Sequence, residues 1–369
     1  MSSPGTPSKD AAWFSARLLS WFSKAQRDLP WRRTRDPYAI WVSEIMLQQT
    51  QVATVIDYFK RWMRLFPTVK ALAGANEDAV LHAWQGLGYY SRARNLRRGA
   101  QEVVQHYGGA VPSEVSALLS LPGIGRYSAG AISSIAFDQP TPIVDGNVIR
   151  LLCRFFGLAG DPTRAPLKNE IWRLAEQLIP PKKARDFNQA LMEMGATCCT
   201  PKQPLCAKCP LAARCRAHQT NAVTRFPQLP ARSKVSHERH VALLAEKKGA
   251  FLLEQQPTHA PRWAGLWQFP HGKVAPKQAP LSVALALARA AQLQISKPER
   301  RISLKHTITR YRIALEAFHC RVSTSAKGEK PMDRSLRWVR PEELLRYALP
   351  APHAKIARAL LLASDKAGA

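Results

Sequence analysis

Four cysteines in the middle of the chain, Cys199, Cys206, Cys209 and Cys215, stand at the spacing C-x6-C-x2-C-x5-C. A C-x2-C pair puts two thiolates on one tight turn, and flanking cysteines complete a tetrahedral or cubane ligand set. The chain has seven cysteines, and five of them fall between Cys198 and Cys215. So dense and odd-numbered a group argues against a disulfide framework and for ligation of a metal or cluster. Zinc and an iron–sulfur cluster both satisfy this spacing. His218 and Cys198 stand near enough to replace one ligand each, and Lys202, Lys208 and Arg214 suit a loop pressed on phosphates.

Two carboxylates form a second candidate centre. Glu44 lies in Trp41-Val42-Ser43-Glu44-Ile45-Met46-Leu47, on a largely apolar helix face. Such a place raises a carboxyl pKa and keeps the group protonated, as a general acid must be. The competing reading is a glutamate at the edge of a solvated face. Asp145, in Pro142-Ile143-Val144-Asp145-Gly146-Asn147-Val148, precedes a helix that opens at Asn147. A helix cap is an equally good reading, and the two are compatible, because a helix N-terminus keeps a carboxylate ionised. One carboxylate pushed up and one pushed down make the acid and stabiliser of a glycosidic cleavage. Between them, Leu121-Pro122-Gly123-Ile124-Gly125 joins two helices. Its glycines permit close approach to an anion, which the free N–H groups of the next helix would meet. Alone, a G-x-G is a weak signal.

The elements that must position these residues follow from periodicity. From Asp10 to about Gln219 the pattern is helical. Asp36-Pro37 caps and opens a long segment in which Ile40, Trp41, Ile45, Val52, Val55, Ile56, Phe59 and Met63 recur near helical spacing. Further helices are expected at 77–85, 92–106, 114–119, 127–137, 147–156, 168–178 and 186–195. A basic, proline-containing linker is expected at 223–237. It separates a helical domain, 1–222, whose cysteine loop spans 198–215, from a smaller α/β domain, 238–369. In the latter, strands 240–245 and 250–255 flank a Lys247-Lys248-Gly249 turn. A helix at 282–292, one or two strands within 301–321, a strand at 335–339 and closing helices at 341–363 follow.

The chain is 369 residues long, ample for two domains, and 46% of it is apolar, enough for real cores. Its net charge of +28 recruits polyanions, and both sides of residue 222 are cationic. No stretch reaches the ~18 apolar residues of a membrane span, and the polar Met1–Asp10 segment, with no apolar stretch of its own, leads us not to expect secretion. These features lead us to expect a reducing compartment: a cytoplasmic protein, nucleoid-associated in a bacterium.

The cysteine pattern closing a helical region, with the Leu121–Gly125 hairpin upstream, resembles the endonuclease III superfamily of helix–hairpin–helix DNA glycosylases. Over Leu29 to about Gln219 the chain resembles the MutY-type adenine DNA glycosylases more closely. The strings that carry this are Leu29-Pro30-Trp31, Ser43 through Gln51, Gly86-Leu87-Gly88-Tyr89-Tyr90 and Asp145-Gly146-Asn147-Val148. The resemblance implies a [4Fe–4S] cluster on Cys199, Cys206, Cys209 and Cys215, structural rather than catalytic. It implies that Glu44 protonates adenine N7, that Asp145 stabilises the C1′ cation, and that Tyr127 and Asn147 assist at the sugar. Leu29, Trp31, Arg32 and Gln189 would line an adenine pocket. Gln49 and Tyr89 would wedge into the base stack, and Leu121, Gly123 and Gly125 would grip phosphates. For Trp31, Leu29 and Tyr89, ordinary core packing is the competing reading.

Bifunctional relatives place a lysine nucleophile directly after Gly-Val-Gly-Arg, an amine being needed for β-elimination. Here Gly123-Ile124-Gly125-Arg126 is followed by Tyr127, so water is expected as the final nucleophile. From Arg239 the chain resembles the Nudix-like C-terminal domain of the same family, through Trp263 to Pro270 and His306 to Arg310. The expected helix at 282–292 holds no Asp or Glu, which leaves no Mg2+ ligands for pyrophosphate hydrolysis and points to recognition instead. In the family this domain reads 8-oxoguanine. Many bacterial members carry Phe-Ser-His where Ile308-Thr309-Arg310 stands here, and Thr309 keeps a hydroxyl for the lesion. The partner implied is duplex DNA with an A:8-oxoguanine or A:G mispair, bound by a monomer. Two rivals stand beside this reading: a bifunctional glycosylase/lyase, opposed by Tyr127, and a non-catalytic DNA-binding protein, opposed by the Glu44/Asp145 pair.

Overall fold

The computed structural model describes residues 9–230, 235–323 and 335–367. Its helical part runs through α1 (Lys9–Ala25), α2 (Pro37–Leu47), α3 (Val52–Leu65), α4 (Val69–Gly74), α5 (Glu77–Ala83) and α6 (Ser91–Tyr107). It continues with α7 (Val115–Ser120), α8 (Arg126–Phe137), α9 (Gly146–Phe156), α10 (Ala165–Leu178), α11 (Ala184–Glu193) and α12 (Arg216–Gln219). Side-chain caps set several starts: Asp36 Oδ1 accepts from Tyr38 N–H, Thr68 caps α4, Asn76 caps α5 and Asp145 caps α9. The sequence expectation of one long segment from Asp36 to Met63 is not met. The chain breaks after Leu47, with Gln49 in the left-handed region at φ 56°, and α3 restarts at Val52. Apolar periodicity persists across the break, which is why spacing alone hides it.

By their contacts the residues form two compact units, Met1–Ala75 with Asn95–Ala231, and Asn76–Arg94 with Arg232–Ala369. In the first, Phe14 and Leu18 of α1, Leu152 and Phe155 of α9, Ile171 of α10, and Phe187 and Leu191 of α11 form one buried cluster. Ile40 packs with Ala131, Ile135 and Ile143 in a second. After Glu193 the chain makes one wider, π-type turn, Met194–Cys198, which leads into the cysteine loop.

The second unit is a seven-stranded sheet: β1 (Ser236–Lys247), β2 (Ala250–Gln255), β3 (Trp267–Gln268), β4 (His271–Val274), β5 (Glu299–Ile308), β6 (Tyr311–Arg321) and β7 (Leu336–Val339). Strand order is β3-β2-β1-β6-β5, with β4 on β1 and β7 on β2. Among the described residues, only the β1–β6 pairing is parallel. β1 is buried on both faces, so it reads as a continuous apolar run. Val241, Leu243 and Ala245 meet Val283, Ala284 and Ala288 of α13 (Pro280–Ala290). Ala242 and Leu244 face the opposite core, with Ile356 and Ala357. Two helices, α14 (Pro341–Leu344) and α15 (Ala351–Ala367), close the chain. α13 carries no acidic residue. Within the expected linker, Val223–Arg225 forms a short 3-10 turn and β1 already begins at Ser236, while Arg232 and Lys234 lie outside the described residues.

Candidate active site

Every residue of α2 from Tyr38 to Met46 is buried, so Glu44 sits on a helix without a solvated face. It is 3% exposed. Burial pushes its carboxyl up to about 7, the Asp145 charge adds to this, and the Tyr127 hydrogen bond and the Arg32 charge oppose it. The Tyr127 hydroxyl donates to Glu44 Oε2 at 2.7 Å, and Met192 Sδ lies 3.2 Å from the Tyr127 hydroxyl oxygen. Burial first, and then the Glu44 and Asp145 charges, hold the Tyr127 hydroxyl well above its ordinary range, so it remains a donor. A proton on Glu44 is thereby directed to Oε1, because Oε2 is already accepting.

Asp145 caps α9 in full. Its Oδ1 accepts from the N–H groups of Asn147 (2.9 Å) and Val148 (2.7 Å), and its Oδ2 from Asn147 Nδ2 (2.8 Å). The cap orients the carboxylate rather than hiding it, for Asp145 and Glu44 line the same cavity of about 500 Å³. Arg150 fastens this turn to the cysteine loop: its Nη2 donates to Asn147 Oδ1 (2.8 Å) and Gly195 O (2.7 Å), and its Nε to Cys199 O (2.7 Å). Gly195 has to be glycine here, since a Cβ would lie 2.5 Å from Asn147 Cβ.

The cavity gathers most residues singled out from sequence: Leu29, Trp31, Arg32, Gln49, Tyr127, Asn147 and Gln189 join Glu44 and Asp145 on its wall. Leu29 and Trp31 are carried by an extended residue and the 3-10 turn Pro30–Arg32, and Trp31 packs edge-on against Phe59 at 5.6 Å. Among the wall residues that sequence reasoning missed are Arg27, Met192 and Glu193. Glu193 is fully buried and takes hydrogen bonds from Arg27 and Arg32. Burial would raise its carboxyl, but those guanidinium bonds prevail and hold it at about 2. No local signal could have found this cluster, whose members lie 166 and 161 residues apart.

Elsewhere in the first unit, Leu121–Gly125 joins α7 to α8. Leu121 is buried, so only its backbone is available to a phosphate, whereas Gly123 and Gly125 are exposed. Gly123 adopts φ 80°, and a Cβ there would come 2.7 Å from Asn95 Cβ. In the second unit Tyr89 is 49% exposed, and its hydroxyl lies 3.4 Å from Thr309 Oγ1. Thr309 forms the β5–β6 turn at φ 51°, a strained conformation for a β-branched residue.

Cys199, Cys206, Cys209 and Cys215 line one small cavity with Leu151, Phe155, Leu205 and Leu211, and Cys198 and His218 reach its wall as well. As placed, no three His, Cys, Asp or Glu among the described residues converge to hold a metal ion. The donor set nonetheless fits a sulfur-ligated group, with four thiols in an apolar cup and Arg154 Nη1 donating to Cys199 Sγ at 3.4 Å.

The class of the protein comes from its relatives: it is a base-excision DNA glycosylase, a hydrolase of N-glycosyl bonds. Residues 42–177 match the HhH-GPD superfamily of base excision DNA repair proteins, and residues 240–359 match the NUDIX domain. The chain belongs to the adenine DNA glycosylase family. It is 38% identical to the adenine DNA glycosylase of Rattus norvegicus over 95% of this chain and 78% of that one. With that of Buchnera aphidicola (strain APS) it is 32% identical over 93% and 96%. With that of Mus musculus it is 42% identical, and there the match spans only 62% of the relative's length. Among solved structures, a thermostable thymine-DNA glycosylase matches at 32% identity and TM-score 0.52, over 57% of this chain and 98% of that chain. A trapped endonuclease III–DNA intermediate, at 22% identity and TM-score 0.50, shares the fold. Among the described residues no helix is long and apolar enough to cross a membrane.

Proposed function

We propose that this chain is a monofunctional DNA N-glycosylase that removes adenine mispaired with 8-oxoguanine or guanine. One observation carries the reading: the buried Glu44, hydrogen-bonded by Tyr127, shares its cavity with the capped carboxylate of Asp145. Phosphate contacts from a strongly cationic surface and the Gly123–Gly125 turn hold the duplex, Gln49 and Tyr89 enter the stack, and the adenine is flipped. Leu29, Trp31, Arg32 and Gln189 receive the base. Glu44 passes its proton to N7, the glycosidic electron pair leaves with the now neutral base, and Asp145 faces the cation at C1′. Asn147, bonded to Asp145 Oδ2, fixes that carboxylate's orientation. Water adds at C1′ and its proton goes to a carboxylate, leaving an intact abasic strand, since no lysine follows Gly123-Ile124-Gly125-Arg126.

Residues 1–222 perform the chemistry, 223–237 link, and 238–369 read the lesion through Thr309. Cys199, Cys206, Cys209 and Cys215 would hold a [4Fe–4S] cluster that stiffens the loop fastened by Arg150 and Arg154. The enzyme acts as a monomer in the cytoplasm, at the nucleoid. Product analysis on a duplex with one A:8-oxoguanine pair, before and after alkali, tests the proposal. Adenine release with breakage only after alkali is expected, and an unaltered duplex refutes it.

A further inference from the structure

β5 is the outermost strand of its sheet. It pairs with β6 on one side, and among the described residues no strand pairs with its other side. Such an edge presents N–H and C=O groups in alternation, a template for one more strand. A register shift between Arg300 and Ile302 disturbs its start, and from Ile302 to Ile308 the pairing with β6 is regular. Over that stretch the two faces differ. Ile302 and Leu304 lie against the core that holds Leu315 and are only half-buried there, whereas Ser303, Lys305 and Thr307 are exposed. Lys305 stands opposite Ala314 and Thr307 opposite Arg312, so Lys305 and Arg312 share the exposed face, and Arg239 of β1 joins them beside Ala314. The Glu316 carboxylate on this face is divided between Arg239 (3.8 Å) and Arg300 (3.2 Å), and among the described residues Lys305 and Arg312 have no acidic partner. A cation on an edge strand can serve simply to keep other strands away. Here the cations continue inward over β6 and β1, farther than that purpose requires.

We infer that β5 is a docking edge for an extended segment of a partner protein in which acidic and apolar residues alternate. The segment adds to the sheet as one more strand. Its backbone takes up the free N–H and C=O groups of β5, its apolar side chains cover Ile302 and Leu304, and its carboxylates meet Lys305 and Arg312. The chemistry of the edge favours this occupant over two others. A nucleic-acid phosphate accepts hydrogen bonds and donates none, so it leaves the β5 carbonyls facing negative charge. A second copy of the chain, paired edge to edge, sets the cations of β5 against their own kind, which is destabilising.

Fluorescence anisotropy on the full chain at low salt, with a labelled peptide of 10 residues, the length of β5, alternating Glu and Val, tests this. Binding is expected, with slower deuterium exchange at the β5 amides that β6 leaves free. Lys305→Glu and Arg312→Glu should each weaken it roughly 5- to 10-fold, the scale of reversing one exposed charge, without lowering the melting temperature. Two further peptides, N-methylated on all Glu or on all Val amides, keep every carboxylate. Strand pairing loses one of them and retains the other, because alternate amides point to opposite edges. No binding of the unmethylated peptide overturns the proposal, as does equal binding of both methylated ones. It also falls if the two variants lose affinity for a short DNA duplex and keep it for the peptide, or if the chain forms a dimer that Lys305→Glu dissolves.

Discussion

The Tyr127 hydroxyl and the Glu44 carboxylate are joined by a 2.7 Å hydrogen bond inside a buried wall, and Tyr127 stands where a bifunctional enzyme would need a lysine. In the proposed reaction, the residue that withholds an amine would thus also be the one that orients the acid. The two roles can be separated experimentally.

Glu44→Gln is expected to leave duplex affinity nearly intact and to abolish base release, since binding rests on phosphates and stacking while the acid serves only the chemistry. In the unmodified enzyme the rate should fall as pH rises through about 7, where the raised Glu44 carboxyl loses its proton. Gel-shift and quench-flow assays check both. Retained turnover in Glu44→Gln identifies a different acid.

Borohydride trapping should yield little covalent adduct from the unmodified protein, because trapping needs an imine at C1′. Tyr127→Lys supplies the amine and should give some trappable complex and strand cleavage, at a slower rate of base excision. Cleavage by the unmodified protein as fast as adenine release would place it in the bifunctional class.

The purified protein is expected to be brown, with broad visible absorption and about four irons per chain. Metal analysis decides. Stoichiometric zinc in a colourless, active preparation overturns the cluster assignment.

Thr309→Ala should lower the preference for 8-oxoguanine over guanine opposite adenine by roughly 1–3 kcal/mol while sparing the chemistry. Comparing release rates on the two duplexes measures it. An unchanged ratio moves the readout away from the Ile308-Thr309-Arg310 turn.

Acid should weaken the second unit through its buried histidines. His240 Nδ1 lies 3.0 Å from His271 Nε2, and Trp263 packs against His271, His306 and His353. Burial, followed by the neighbouring His240, lowers His271 to about 3 and His306 to about 4. Unfolded histidines bind protons from about pH 6.5, which the folded ones refuse. Stability is therefore complete above that pH and declines as pH falls toward 4. Calorimetry from pH 7 to 4.5 should show a melting transition moving down, and one that stays fixed refutes the account.

What the sequence determined by itself lies within short reach along the chain. Asp36-Pro37 starts α2 and Asp145 caps α9, because capping involves residues two or three apart. The C-x2-C pair puts Cys206 and Cys209 on one short turn for the same reason, and the Lys247-Lys248-Gly249 hairpin joins its two strands directly. Tertiary structure decided what depends on which faces meet. Gln49 turns left-handed between α2 and α3 although apolar periodicity runs straight through. β1 pairs in parallel with β6 some seventy positions later, and Tyr90 donates to Leu349 O (3.5 Å) within a unit that joins 76–94 to 232–369. Met192 reaches the Tyr127 hydroxyl, and Glu193 the Arg27–Arg32 segment, only once α11 has docked. Ionisation follows the same division. A carboxylate's type is written in the chain, but burial and neighbouring charge, the work of distant residues, set Glu44 at about 7 and Glu193 at about 2.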